Sequence, residues 1–191
     1  MRVIAGTYRS RPLAAPRGAR TRPTSDRLRE TLFNILAPRI AGARFADLYA
    51  GTGAVGIEAL SRGSSHVWFA EKASPALAAI RANLNSLGIS SGYSIEDRGA
   101  LPLLQELARS GSTLDIVFFD PPWEASAEYS AVLDVLGGAD ATSLLTPDSL
   151  LVAEHSSRVS LPARAGKLIQ TRTRNQGDAA LSFYVLNQDP G

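Results

Sequence analysis

A chain of 191 residues, 45% hydrophobic and 20% charged, is sized and mixed for one soluble domain with a small appendage. It has no cysteine and only two histidines, His66 and His155. That excludes disulfides and thiolate metal sites and gives no basis for a multi-histidine centre, so no metal is expected. No apolar run is long enough to span a membrane, the opening residues lack a signal-peptide core, and the missing cysteines fit a reducing, cytoplasmic location. Net charge is +2 but unevenly spread: residues 1–44 hold ten arginines against Asp26 and Glu30, a local +8, and the remainder sums to −6. An arginine-rich arm on an acidic body suggests a grip on a polyanion, nucleic acid above all, beside a site for a cationic ligand.

In chain order, residues 2–5 are strand-like, Gly6-Thr7 turns, and 9–13 returns, which predicts a small N-terminal β-hairpin. With the basic loop 16–23 it makes an arm over 1–23, ahead of a main domain over 24–191. Thr24, Ser25 and Asp26 are candidate helix caps. A helix to residue 37 is expected to bury Leu28, Leu32, Ile35 and Leu36. Arg27 and Arg29 fall in its first turns, where the helix dipole disfavours cations; the misfit points to a phosphate or an acidic neighbour.

A first core strand at 44–49 enters the turn 50–56 and a helix over 55–62, closed by Gly63. A second strand, 66–70, ends at Glu71. A helix follows over 75–87, with Leu77, Ile80, Leu84 and Leu87 on its apolar stripe and Gly88 as its stop. Then come a weaker strand at 93–97, a short helix at 100–108, and an apolar run at 114–119 whose β-branched and aromatic residues read as a buried strand. A helix at 128–136, a strand at 149–154 and an antiparallel hairpin of 167–174 with 179–186 complete the chain. Strands alternating with helices predict a doubly wound, mostly parallel α/β sheet of Rossmann-like type.

Two stretches carry chemistry. Gly51-Thr52-Gly53-Ala54-Val55-Gly56 matches G-x-G-x-x-G between a strand and a helix. Asp47, four residues earlier, suits the amino group of a methionine moiety and would repel a pyrophosphate. Glu71 suits ribose hydroxyls in either kind of cofactor. Plainer roles stay open: Asp47 capping the loop, Glu71 pairing with Lys72 or an arginine, the glycines serving a tight turn. There is no phosphate-binding G-x-x-x-x-G-K-[ST], so an NTPase is unsupported. The second stretch is Asp120-Pro121-Pro122-Trp123, at the carboxyl end of the 114–119 strand, where open α/β sheets bind ligands. Its prolines stop any ladder or helix. An exocyclic amine on a base is a poor nucleophile because its lone pair is conjugated into the ring. The Asp120 carboxylate and a proline carbonyl can each accept one of its N–H groups, and Trp123 can stack on the ring. The plain alternative is a proline turn with a capping Asp and a core Trp.

Asp47 to Gly53 resembles motif I of the class I S-adenosylmethionine-dependent methyltransferases, and Asp120 to Trp123 resembles their amine-methylating motif. The run Arg22-Pro23-Thr24-Ser25-Asp26-Arg27-Leu28-Arg29-Glu30-Thr31-Leu32-Phe33-Asn34-Ile35-Leu36 resembles the signature of the RsmD family, bacterial 16S ribosomal RNA guanine-N2 methyltransferases. Arg2 to Gly6 and Glu58 to Gly63 match as well, so the resemblance covers essentially the whole chain. It implies S-adenosylmethionine as donor, held by Asp47, Tyr49, Gly51, Gly53, Glu71, Lys72, Gly99, Ala100 and Asp120. It implies a catalytic segment of Asp120, Pro121, Pro122 and Trp123. It implies rRNA phosphates on Arg9, Arg11, Arg20, Arg22 and Arg27, and 16S rRNA within a 30S subunit or assembly intermediate as partner of a monomer. The chain departs from the family at Gly99, where many relatives carry Asp or Asn at the adenine edge; backbone groups of Gly99 and Ala100, or Asp97, would stand in. Adenine-N6 or glutamine-amide methylation, a nicotinamide oxidoreductase and a non-catalytic RNA-binding assembly factor are the competing readings.

Overall fold

The computed structural model describes residues 1–15 and 25–187, and its chain divides into two compact units, Met1–Gly99 and Ala100–Gly191. In the first unit, helix α1 (Asp26–Leu36) starts at Ser25, whose hydroxyl accepts the Leu28 N–H, the capping expected of a Ser at that position. Its buried face is Leu28, Arg29, Leu32, Phe33 and Leu36. Ile35, expected on that face, is only half-buried, and Phe33 takes the place, stacked on Phe45 with ring centroids 6.4 Å apart.

Strand β1 (Arg44–Leu48), helix α2 (Ala54–Ser61), strand β2 (His66–Ala70), helix α3 (Ser74–Ser86) and strand β3 (Tyr93–Glu96) follow. The three strands run parallel, with β2 between β1 and β3, as βαβ connections require. Gly63 at φ 91° and Gly88 at φ 71° close α2 and α3.

The expected N-terminal hairpin is present and short: Arg2 bridges Pro12 antiparallel, and Val3 N–H bonds Arg11 O at 3.0 Å, Ser10 N–H bonds Val3 O at 2.9 Å and Leu13 N–H bonds Met1 O at 3.0 Å. Other polar backbone groups of the segment go to helices. Ile4 and Ala5 donate their N–H groups to the two oxygens of the buried Glu58 carboxylate at 2.7 and 3.0 Å. Tyr8 N–H bonds the Ser61 hydroxyl at 3.0 Å. Gly6 lies so close to α2 that a Cβ there would stand 1.8 Å from the Ser61 carbonyl oxygen, and its φ is 83°; only glycine satisfies both demands.

The second unit holds helix α4 (Ala100–Ser110), strand β4 (Leu114–Phe119), helix α5 (Ser126–Gly137), a single-turn helix α6 (Ala141–Leu144), strands β5 (Leu145–Ser156) and β6 (Arg164–Ala165), and the hairpin of β7 (Leu168–Gln176) and β8 (Ala179–Leu186). β4 and β5 are parallel, β5 pairs antiparallel with β8, and the antiparallel order continues to β7 and β6. The mixed α/β class, mostly parallel with antiparallel strands at the C-terminal end, is as expected. Three details differ. α6 and β6 are extra, and β5 begins four residues before the predicted 149. The register slips between the pairs Leu114–Leu145 and Ile116–Leu150, and that irregularity accommodates Pro147, which cannot donate to a regular ladder. Ser149 is fully buried there, and its hydroxyl donates to the Leu114 carbonyl at 2.6 Å.

Candidate active site

The turn from β1 into α2 is built from residues that tolerate left-handed backbone: Tyr49 at φ 64°, Gly51 at 56° and Gly53 at 76°. It is fastened from several sides. Ala50 N–H bonds the Ala70 carbonyl of β2 at 3.0 Å, and Gly53 N–H bonds Ala50 O at 2.8 Å. The Asp47 carboxylate, 1% exposed, accepts the Gly56 N–H at 2.8 Å. One oxygen of Glu71 accepts the Gly51 N–H at 2.9 Å, and the other accepts the N–H groups of Lys72 and Ala73, each at 2.8 Å. The plain roles of both acids are therefore real: each caps backbone donors, and Glu71 bonds the N–H of Lys72. Capping does not exhaust a carboxylate, which has about four acceptor positions.

This wiring separates the two cofactor readings. A dinucleotide phosphate needs free N–H groups and positive potential at the helix start. Here the Gly56 donor is already consumed by a carboxylate, and Asp47 and Glu71 bring negative charge. Burial, opposed by the Gly56 hydrogen bond and reinforced by the Glu71 charge, pushes the Asp47 carboxyl up to about 7. The site favours a ligand carrying positive charge. Around Gly51 a Cβ would meet nothing within 4 Å, so the turn presents open space above its backbone, as a nucleoside donor needs. At Gly56, by contrast, a Cβ would lie 2.3 Å from a Phe69 ring carbon; the missing side chain lets α2 press onto β2.

Sequence reasoning missed a further fastening. Asn83 of α3, 1% exposed, donates to the Thr52 carbonyl in the glycine turn at 3.0 Å. The same amide accepts the Ala14 N–H at 2.8 Å and donates to Ala14 O at 3.0 Å. An Asn one residue before Leu84 of the apolar stripe was the available signal, since a buried amide must find partners.

Of the remaining donor candidates, Lys72 is exposed and Gly99 is buried at φ 101°. A Cβ at Gly99 would make only ordinary contacts, 3.9 Å from Lys72 side-chain carbons. An Asp or Asn would adopt this backbone conformation only under strain. Ala100 is buried as the first residue of α4. Asp97 is exposed, and Glu96 beside it is held by Arg98 through a 2.6 Å ion pair.

In the second unit, β4 delivers Asp120 and Trp123 half-buried, Pro121 buried and Pro122 exposed. Ala125 N–H bonds Pro122 O at 2.8 Å and closes the turn. The sequence gave no role to Tyr129. It is 5% exposed on α5, and its hydroxyl lies 3.2 Å from the Pro121 carbonyl and 2.9 Å from the Glu154 carbonyl. One hydroxyl proton serves two acceptors, so the Pro121 oxygen keeps acceptor capacity while its direction is fixed. The signal was a Tyr on the stripe with Val132, Leu133 and Leu136, whose hydroxyl must be satisfied when buried.

Among the expected phosphate-binding arginines, Arg9, Arg11 and Arg27 are exposed. Arg11 also donates to the Ser86 carbonyl at 3.0 Å. Arg20 and Arg22 lie outside the described residues. Arg29, the other cation of the α1 misfit, is fully buried and has acidic neighbours: Asp26 at 3.1 Å and the charge of Glu58. It also donates to the Arg2 carbonyl. Among the described residues no group of three or more His, Cys, Asp or Glu side chains is arranged to hold a metal ion, and no helix is long and apolar enough to cross a membrane.

A glycine turn flanked by two strand-end acids in a parallel α/β unit, with an Asp-Pro-Pro-aromatic segment ending a buried strand, is the architecture of a Rossmann-like methyltransferase. The comparisons agree. The Escherichia coli methyltransferase yhhF has a solved structure that superposes with a TM-score of 0.82, at 30% identity over 99% of each chain. Protein TTHA0928 of Thermus thermophilus superposes with a TM-score of 0.79, at 28% identity over 96% of this chain and 98% of that one. The Ribosomal RNA small subunit methyltransferase D of Escherichia coli K12 is 30% identical over 96% of this chain and 89% of its own length. YlbH of Bacillus subtilis is 35% identical over 96% of this chain and 98% of its own. A family model described as Conserved hypothetical protein 95 matches residues 1–185, and the chain belongs to this family, the RsmD-type methyltransferases.

Proposed function

We propose that this chain methylates the N2 amino group of one guanine in small-subunit ribosomal RNA, with S-adenosylmethionine as donor. The observation that carries the reading is the Asp120-Pro121 pair of acceptors, with the Pro121 carbonyl aimed by Tyr129. A planar amine with two N–H groups is the ligand such a pair suits. The donor supplies a methyl group on a sulfonium and leaves as a neutral thioether, so little chemical activation is asked of the protein.

Asp47, Tyr49, Gly51, Gly53, Glu71, Lys72, Gly99 and Ala100 hold the donor: Asp47 its ammonium, Glu71 its ribose, and the Gly99–Ala100 backbone its adenine edge. Asp120 and the Pro121 carbonyl accept the two amine hydrogens and turn the nitrogen lone pair toward the electrophile. Pro122 rigidifies the turn and Trp123 stacks on the guanine, which must leave its stack to reach the site. After the C–N bond forms, the extra proton passes from nitrogen to Asp120 or water. Positioning supplies most of the rate. Arg9, Arg11, Arg20, Arg22 and Arg27 bind rRNA phosphates. The substrate is the 30S subunit or its assembly intermediate, and the enzyme acts as a cytoplasmic monomer.

The test uses methyl-labelled donor with small subunits and rRNA lacking the modification, followed by nucleoside analysis. Labelled N2-methylguanosine is expected from the native chain. Asp120→Ala is expected to lose at least a hundredfold in rate while still binding S-adenosylhomocysteine. Label in N6-methyladenosine would replace the substrate, and no label in any RNA, with donor binding intact, would overturn the reading.

A further inference from the structure

The second unit carries a basic surface that the N-terminal charge asymmetry hides. From 155 to 177 the chain has Arg158, Arg164, Lys167, Arg172 and Arg174 and not one Asp or Glu; the rest of 100–191 has Arg109 against eleven acids. All five cations are exposed. They lie on β6, β7 and the connections beside them. Pairing with β6 ends at Ile169, so among the described residues the outer edge of β7 beyond Gln170 faces no strand.

An edge strand blunted by charge is the plain reading. Three features go beyond it. First, three arginines elsewhere are paired with local acids: Arg29 with Asp26, Arg62 with Glu58 and Arg98 with Glu96. Among the described residues Arg158, Arg164, Arg172 and Arg174 have no carboxylate partner, although the unit is acidic overall. Second, four of the five cations are Arg, whose planar fork suits phosphate oxygens. Third, the cations on β7 are placed. Arg172 and Arg174 stand opposite Phe183 and Leu181 and alternate with Thr173, about 7 Å apart along one face. The Arg172 guanidinium rests over the buried Phe183 ring, 4.4 Å from its centroid, so less side-chain freedom is lost when it meets an anion. Thr171, Thr173 and Asn175 add exposed polar groups between and beside them.

We propose that the β6–β7 edge is a second RNA-binding surface, gripping phosphates of the same rRNA substrate; this rests on the rRNA reading above. It acts on affinity and orientation and leaves the chemical step alone.

The experiment measures binding of deproteinised 16S rRNA and of 30S subunits by the native chain between 50 and 250 mM KCl, beside methylation and S-adenosylhomocysteine binding. The variants are Arg172→Glu with Arg174→Glu, the milder Arg172→Gln with Arg174→Gln, which keeps most of the stem over Phe183, and Arg109→Glu as a control elsewhere on the unit. In both double variants the RNA Kd should rise at least tenfold at 100 mM KCl. The slope of log affinity against log salt should flatten by about 1.4, roughly 0.7 for each lost phosphate contact on single-stranded RNA. Donor binding and the rate at saturating RNA should stay within twofold, and Arg109→Glu should leave the slope unchanged. An unaltered Kd and slope in the double variants would overturn the proposal, and so would an equal loss in Arg109→Glu. A native dimer that the double variants dissociate while RNA affinity persists would reassign the edge to self-association. If the native chain binds rRNA but methylates no guanine, the functional reading fails separately from this one.

Discussion

Donor affinity should depend on pH through Asp47. Its carboxyl is pushed up to about 7, chiefly by burial and further by the Glu71 charge, against the opposing hydrogen bond from Gly56. If the ionised carboxylate receives the ammonium of the donor, binding must first remove a proton from most molecules at pH 6. With a carboxyl pKa of about 7, roughly one-tenth is ionised at pH 6 and about half at pH 7. The Kd for S-adenosylhomocysteine should therefore fall about fivefold over that unit. The window closes near pH 7.7, roughly where an α-amino group gives up its own proton. Calorimetric titration from pH 5.5 to 7.5, in two buffers of different ionisation heat, reads both the affinity and the proton released. Asp47→Asn can still accept the Gly56 N–H through its amide oxygen but cannot ionise, so its affinity should be weak and flat with pH. The ligand-free fold carries the opposite dependence. A carboxyl raised from 3.8 to about 7 favours folding fully below pH 3.8, and that stability is lost as pH rises through 7, on the order of 4 kcal/mol at most. Asp47→Asn should accordingly gain stability relative to the native chain at pH 8, an advantage that vanishes at pH 4. A flat native affinity, or an equally steep one in Asp47→Asn, would refute the assignment of Asp47 to the ammonium.

Two further substitutions separate positioning from packing. Tyr129→Phe removes only the hydroxyl that directs the Pro121 carbonyl, so kcat on rRNA should fall about tenfold, some 1.4 kcal/mol, with S-adenosylhomocysteine affinity unchanged; a melting shift with kcat intact would make the hydroxyl structural only. Gly56→Ala puts a carbon 2.3 Å from the Phe69 ring, so urea unfolding should show a loss of about 1–3 kcal/mol together with weakened donor binding, and a variant as stable as the native chain would mean that α2 is freer to shift off β2 than its packing implies.

What the sequence made legible was local. Helices of two turns or more and strands of four residues or more announce themselves through apolar periodicity and through glycines such as Gly63 and Gly88 that punctuate their ends. α6 and β6, four and two residues long, are too short for any period to register. The early start of β5 was masked by Pro147, which reads as a strand breaker until the register slip that houses it is visible. In the candidate site the residue types were readable because donor and acceptor chemistry constrains them. Their fastenings were not, because each crosses many residues: 69 from Ala14 to Asn83, 31 from Thr52 to Asn83, and 25 from Tyr129 to Glu154.

The arginines show where charge alone misleads. In sequence, Arg27 and Arg29 share one anomaly, cations at a helix start, for which a phosphate or an acidic neighbour are the two explanations. The fold splits them: Arg27 is exposed, whereas Arg29 is fully buried beside Asp26 and Glu58. Glu58 also receives the Ile4 and Ala5 N–H groups and the Arg62 guanidinium. One buried carboxylate thus answers several local charges and fastens the N-terminal segment. Replacing Glu58 would remove a buried acid beside Arg29 and leave that guanidinium's charge less compensated in the core, a loss of folding energy that says nothing about RNA. The cations that bear on RNA are those without internal acids to satisfy them, and by that criterion the edge at Arg172 and Arg174 is a stronger candidate than its place in an acidic half of the chain suggests. Net charge over a stretch of sequence therefore ranks surfaces poorly; what ranks them is which charges the fold has left for a partner to neutralise.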